Sequence, residues 1–180
     1  MLSPLELFEQ RVQEQVDKPK KDKILQDWNN LKLTGICNSN LEIRMTPHKG
    51  MGVFAKKDFN EGDIIEYAYC IIYDWRSKYQ NDSTIRRYSY VVNCNCIECN
   101  EHGFRNIQPL GYGSIYNSAD SEKERNADYY IFDKERLIAF EAERTIYQGE
   151  EILLWFGQSY YDSWITNLKN KNKVNKWKKL

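Results

Sequence analysis

The sequence predicts a mainly β protein with flanking helices, its strands gathered into several small sheets packed on one another. Two observations carry that class. From Leu41 onward, short runs of β-branched and aromatic residues alternate and are cut by turn residues at close intervals. Ahead of them, residues 3–33 carry apolar residues at helical spacing instead. No internal repeat interrupts this order, and 180 residues suit one compact domain with small appendages.

Taken in order, Ser3-Pro4-Leu5-Glu6 reads as a capping box with proline at the first helical position, where its missing N–H costs nothing. Phe8, Val12 and Val16 form one stripe; Pro19 and the lysines around it are expected to break the helix. Ile24, Leu25, Trp28 and Leu31 then predict a second short helix, closed by Gly35. The arm is expected to be a packing element. Leu41–Met45 and Gly52–Ala55 alternate, Asn60-Glu61-Gly62-Asp63 reads as a turn, and Asp63–Tyr73 is a long strand-like run. Residues 74–84 are polar and loop-like. Arg86–Cys96, Ile107–Tyr116, Asp128–Phe132 and Leu137–Ala142 are further strand candidates, and Gln148-Gly149 turns into Glu151–Phe156. Ser159–Leu168 reads as helical.

Lys+Arg and Asp+Glu number 26 each, so global charge points to neither a nucleic acid nor a membrane surface. No run has the length of a spanning helix, and the start of the chain lacks an apolar signal region. Five cysteines, three of them crowded together, do not form a disulfide framework; an intracellular protein is expected. The tail holds six lysines after Leu168 and no acid, a solvated charge run to which nucleic acid would bind weakly at most.

Chemistry concentrates in three segments. Lys49-Gly50-Met51-Gly52-Val53-Phe54-Ala55 contains a Gly-x-Gly turn, whose backbone can approach a ligand closely. No helix follows it, so it is not a dinucleotide fingerprint. Leu110-Gly111-Tyr112-Gly113-Ser114-Ile115-Tyr116-Asn117 places two glycines in an aromatic, strand-like run, a sign of close backbone approach or a bulge. Gly149-Glu150-Glu151-Ile152 runs on to Trp155-Phe156-Gly157. Apart from these, Cys94, Cys96, Cys99 and His102 make a complete tetrahedral zinc set compressed into nine residues; a hairpin with reduced cysteines is the alternative. Neither histidine, His48 or His102, sits in a nucleophile motif.

In order and spacing these segments resemble the SET domain, the fold of most protein-lysine methyltransferases. The resemblance implies a domain over residues 40–157 made of small curved β-sheets with a pseudoknot-like C-terminal threading. An N-terminal helical arm (1–39) would precede it, and a C-terminal helix and basic tail (158–180) would follow. It implies a SAM-dependent methyltransferase acting on a lysine of a protein substrate, a histone being one candidate. Cofactor-binding residues would be Lys49, Gly50, Met51, Gly52, Tyr116, Asn117 and Ser118, with Tyr160, Tyr161 or Trp164 covering the adenine. The family pattern then departs twice. Asn117-Ser118-Ala119 stands where the family has Asn-His-Ser, with Asn126-Ala127 following a charged insertion, Asp120–Arg125. Phe156 stands at the catalytic tyrosine, keeping the aromatic wall and losing the hydroxyl. Tyr116 and Tyr160 are the sequence candidates to supply it, and Leu154 is expected beside Phe156 in the lysine channel. A SET-fold binding module with impaired catalysis, retaining SAM, is the alternative. Oligomeric state is not fixed by any of these features.

Overall fold

In the computed structural model, β3 (Ile64–Ile72) is the organising strand. The structure describes residues 17–34, 39–73, 88–92 and 105–162, together with 82, 85, 101 and 166; of residues 31–34 only the backbone is described. Arm residues 1–16, Gly35, the Cys94–His102 cluster, Trp164 and the basic tail lie outside the described residues.

β3 pairs on one side with β8 (Leu137–Ala142) and on the other with β5 (Arg105–Pro109), both antiparallel. β4 (Tyr90–Val92) and β7 (Ala127–Phe132) complete a five-stranded sheet of order β4-β5-β3-β8-β7. Two smaller pairs flank it. β1 (Leu41–Thr46) and β2 (Gly50–Ala55) form a hairpin, and β6 (Asn117–Ser118) runs parallel to β9 (Leu153–Leu154).

Period-two alternation divides the large sheet between two cores. On one face Ala68, Cys70, Ala127, Ile138, Phe140 and Ala142 join the main cluster with Val53, Ile107, Ile152 and Leu154. On the other, Phe132, Leu137 and Ala139 meet Ile24 and Trp28 of helix α1 (Lys18–Thr34). A bulge between Ile64 and Glu66 inserts one extra residue, Ile65, opposite β8. Both Ile65 and Glu66 are buried as a result, although they are adjacent.

The structure corrects four sequence expectations. The helix expected over residues 24–31 already begins before Pro19, while the helix that Pro19 is expected to break falls on residues 1–16, outside the described residues. Asp17 accepts the Lys20 N–H at 2.8 Å, and α1 starts at Lys18, so Pro19 lies in the first turn, where a missing N–H has no intrahelical partner to lose. Gly50-Met51-Gly52 is not the hairpin turn but the opening of β2, paired with Arg44–Thr46. The run Ile107–Tyr116 is not one strand: β5 ends at Pro109, and Gly111–Ser114 forms a 3-10 turn. Glu151–Phe156 narrows to the two residues of β9.

Residues 150–154 pass between β2 and the 117–126 stretch. On the β2 side, Ala55 N–H donates to Glu150 O at 3.0 Å and Ile152 N–H to Val53 O at 2.8 Å. Opposite, Ala119 N–H donates to Leu154 O at 2.6 Å and Asn126 N–H to Leu153 O at 3.1 Å. Asn126, 1% exposed, completes the lock. Its amide nitrogen donates to Glu151 O at 2.8 Å, and its carbonyl accepts Leu153 N–H at 2.7 Å. A buried amide with both ends satisfied holds a crossing that aliphatic packing alone would leave free to slide.

Candidate functional site

A cavity of about 810 Å³ opens where the three segments converge. Lys49, Gly50 and Met51 line one wall, Tyr116 to Asp120 a second, and Phe156, Tyr160 and Tyr161 a third. Tyr90 and Tyr129 of the large sheet also face it.

One contact cluster explains the convergence. A Cβ at Gly52 would overlap Glu151 Oε1 and come within 2.8 Å of the Thr46 side chain and 2.9 Å of Asn117 Nδ2. Glycine at 52 leaves these side chains the room they occupy between β2 and the other two segments. Asn117 Nδ2 in turn donates to Met51 O at 3.1 Å and to Glu151 Oε1 at 2.8 Å. All three segments thus contribute to a single knot of contacts under the cavity.

The expected cofactor residues take two kinds of place. Gly50, Met51, Asn117 and Ser118 border the cavity, while Gly52 lies buried behind it. Gly50 has φ 79° and open space around its Cα. Lys49 does not reach into the cavity as a free cation: its Nζ donates to Ser118 O at 2.8 Å and pairs with Asp120 at 2.7 Å. Both amide protons of Asn117 are likewise committed within the chain, leaving its carbonyl oxygen and the neighbouring backbone as the polar groups at that wall. Leu154, expected in the lysine channel, is fully buried and does not line the cavity.

The aromatic wall is built around Phe140. Its ring lies 4.7 Å from Tyr116, 6.0 Å from Tyr90 and 6.3 Å from Tyr129. Phe156 sits edge-on to Tyr90 at 5.7 Å and to Tyr160 at 5.2 Å. Phe156 therefore lines the cavity between two tyrosines, with no oxygen to offer.

The hydroxyls around it are unequal. Tyr116, 4% exposed, donates to Glu66 Oε2 at 2.9 Å; Tyr90 donates to Gly113 O at 2.9 Å. Burial raises both phenols well above the usual tyrosine range, with Glu66 adding to the effect. Tyr112 reaches toward Leu41 O at 3.4 Å, and Tyr67 lies on the opposite face beside Asp27. Tyr160 is 46% exposed at the cavity mouth. Tyr129 differs from all of these: it lines the cavity, and its hydroxyl makes no hydrogen bond among the described residues. Burial, then the Asp128 carboxylate, raises its phenol, so it stays protonated at neutral pH. Sequence reading passed Tyr129 over because it lies in an ordinary alternating strand, outside the three segments. Its odd-numbered register with Ala127 and Ile131, opposite Phe140, was the available signal.

Among the described residues no group of three metal-ligating side chains is present, and no helix is long and apolar enough to cross a membrane.

The family model of the SET domain matches residues 50–157. Among solved structures, a Plasmodium falciparum protein described as a candidate histone methyltransferase aligns at TM-score 0.50 and 22% identity, over 69% of this chain and 99% of its own. ATXR5 in complex with histone H3.1 aligns at TM-score 0.56 and 13% identity, over 77% of this chain and 65% of that one. CpSET8 from Cryptosporidium aligns at TM-score 0.50 and 17% identity, over 66% and 57%. The chain thus spans less than two thirds of the ATXR5 and CpSET8 chains. At these identities the likeness speaks for the fold. No curated protein sequence matches the chain.

Proposed function

This chain belongs to the SET-domain family, and from that premise we propose that it is a SAM-dependent methyltransferase acting on a lysine side chain of a protein. The observation that carries the reading is the cavity. Three distant segments meet at it, its walls are aromatic, and one of its hydroxyls, that of Tyr129, has no partner among the described residues. The ATXR5 structures with histone H3 support a peptide-borne lysine as the substrate class.

The residues fit the cofactor. A cavity of about 810 Å³ is in the range that ligands of this size occupy. The Gly50–Met51 backbone, Asn117, Ser118 and the aromatic pair Tyr160 and Tyr161 would hold it. When bound, it supplies an electrophilic methyl group on a sulfonium.

The chain's own residues do the rest. The target amine must be neutral, and a free lysine titrates near pH 10.4. Tyr90, Tyr129, Phe156 and Tyr160 replace water around it with ring faces and edges, which disfavours the charged ammonium and lowers that value. The Tyr129 hydroxyl oxygen would accept a hydrogen bond from the amine and so orient its lone pair for attack. Phe156 holds the channel wall. It carries the family's tyrosine position in shape but not in polarity, and Tyr129 provides the polarity from the neighbouring strand.

Calorimetric titration with SAM and S-adenosylhomocysteine tests the first step without knowledge of the substrate. Binding in roughly the micromolar range, followed by methylation of a protein lysine, is expected. No binding of either compound sinks the reading. Cofactor binding without transfer to any protein, restored by Phe156→Tyr, would instead establish the impaired binding module that Phe156 favours.

A further inference from the structure

One buried carboxylate has no part in the chemistry above. Glu66 lies on β3 behind the cavity wall, 6% exposed. Two donors reach it from the second segment: Tyr112 N–H at 3.0 Å to Oε1 and Tyr116 O–H at 2.9 Å to Oε2. Gly111, at φ 76°, fits against it, since a Cβ there would stand 2.7 Å from Oε1. The 3-10 turn and Tyr116, which carry the chain into Asn117 and Ser118, are therefore assembled on this carboxylate.

Among the described residues, no opposite charge lies against it. The titratable groups that act on it or feel it are Tyr112 and Tyr116 from the second segment, Tyr90 from β4 and Cys70 from its own strand. Cys70, Tyr90 and Tyr116 are neutral at pH 7, because burial pushes the Cys70 thiol up to about 12 and the two buried phenols well above their usual range. The cavity itself is charge-balanced. Among its described lining residues only Lys49 and Asp120 are charged, and they pair with each other.

We propose that Glu66 is the positioning residue and buried counter-charge of this cavity, protonated in part when the cavity is empty and ionised when a cationic ligand enters. The proposal rests on the methyltransferase reading, which supplies the cation: a sulfonium. Burial pushes the Glu66 carboxyl up to about 7, with the Tyr112 and Tyr116 hydrogen bonds pulling the other way. Near neutrality a modest field can therefore shift it. A positive charge in the cavity that Tyr116 lines would favour the carboxylate, and the released proton would go to solvent. Binding and proton loss are then linked, so affinity for the cation rises with pH through neutrality.

Calorimetry at pH 7 in two buffers of different ionisation enthalpy reads this directly. SAM is expected to release a substantial fraction of one proton. S-adenosylhomocysteine, which lacks the sulfonium charge, should release markedly less. Glu66→Gln keeps the shape and both contacts, its carbonyl accepting from Tyr112 and its amide donating to the Tyr116 oxygen. It should abolish the release, weaken SAM roughly 5- to 10-fold and remove the pH dependence between pH 5.5 and 8. Equal proton release, or an unchanged pH profile, in Glu66→Gln overturns the proposal while leaving the methyltransferase reading intact. Should the natural protein bind neither compound, that reading fails instead. The positioning role is then decided by carboxyl NMR of the ligand-free protein. Glu66 should titrate near neutrality, the Tyr116 ring signals should follow it, and Tyr116→Phe should move the titration upward by removing a donor to the charged form. Titration in the ordinary carboxylate range, or a silent Tyr116, overturns it.

Discussion

The two faces of the five-stranded sheet each bury one carboxylate, and they handle it differently. On the helix face Glu141 has a cation: Lys20 Nζ lies 2.6 Å from it and also donates to the Tyr130 hydroxyl at 3.0 Å. This latch ties α1 to β7 and β8 beside Trp28 and Ile24. On the cavity face, among the described residues, Glu66 has only neutral donors. Phe140 of β8 lies directly between Glu66 and Tyr129 in the strand register, so the carboxylate and the cavity hydroxyl share one row across three strands. A carboxylate with a cation beside it makes a structural tie. One without it stores sensitivity to charge and pH, which is useful only next to a ligand site.

The helix face should be the easier to separate from function. Trp28→Ala removes a ring that is 1% exposed and stacked near Tyr69, so it should cost about 3–5 kcal/mol in denaturant unfolding. SAM affinity of the folded fraction should stay within about twofold; a much larger loss would join the two faces that the structure keeps apart. The cavity face should instead show itself in the pH dependence of stability. Between the ordinary carboxyl value of 4.5 and about 7, the native state holds the Glu66 proton and the unfolded chain does not. That contribution is fully present below pH 4.5 and is lost as pH rises through 7. Stability should therefore fall across this window by about 3 kcal/mol, and the fall should vanish in Glu66→Gln. A flat natural profile would mean that Glu66 titrates like an exposed acid.

Tyr129→Phe separates chemistry from packing on the same face. It should lower kcat by about a hundredfold, near 2.7 kcal/mol, while unfolding shifts by less than about 0.5 kcal/mol, because the hydroxyl has no partner among the described residues to lose. An unchanged kcat would return the catalytic hydroxyl to Tyr160 or to a residue beyond the described ones. The smallest effect belongs to Lys20→Met. With its side chain 36% exposed, the ion pair is screened, and the loss should be about 1 kcal/mol, with SAM affinity untouched.

Much of this was readable from the chain. The alternation that splits Tyr129 from Tyr130, and Phe140 from Ala139 and Glu141, is visible as a period of two. The three segments stood out by glycine spacing, and Phe156 by the family pattern it breaks. The sequence pattern places the start of α1 too late, because a first-turn proline loses no intrahelical bond, so Pro19 lies inside the helix that the Asp17 cap opens. The second segment misled because aromatic β-formers dominate its composition, whereas Gly111 at positive φ and the Tyr112 bond to Glu66 wind it into a 3-10 turn.

The sequence by itself determined most of the strands, the amphipathic helix and the family, because each is a matter of local periodicity or short-range pattern. The tertiary structure alone decided which groups carry charge and which hydroxyl is available. Glu66 and Tyr116 are fifty residues apart, and Gly52 and Asn117 are further apart still; their contacts depend on a bulge, a threaded segment and a missing Cβ. A residue's pKa and its hydrogen-bond partners are properties of burial and neighbours, and those exist only once distant segments have met.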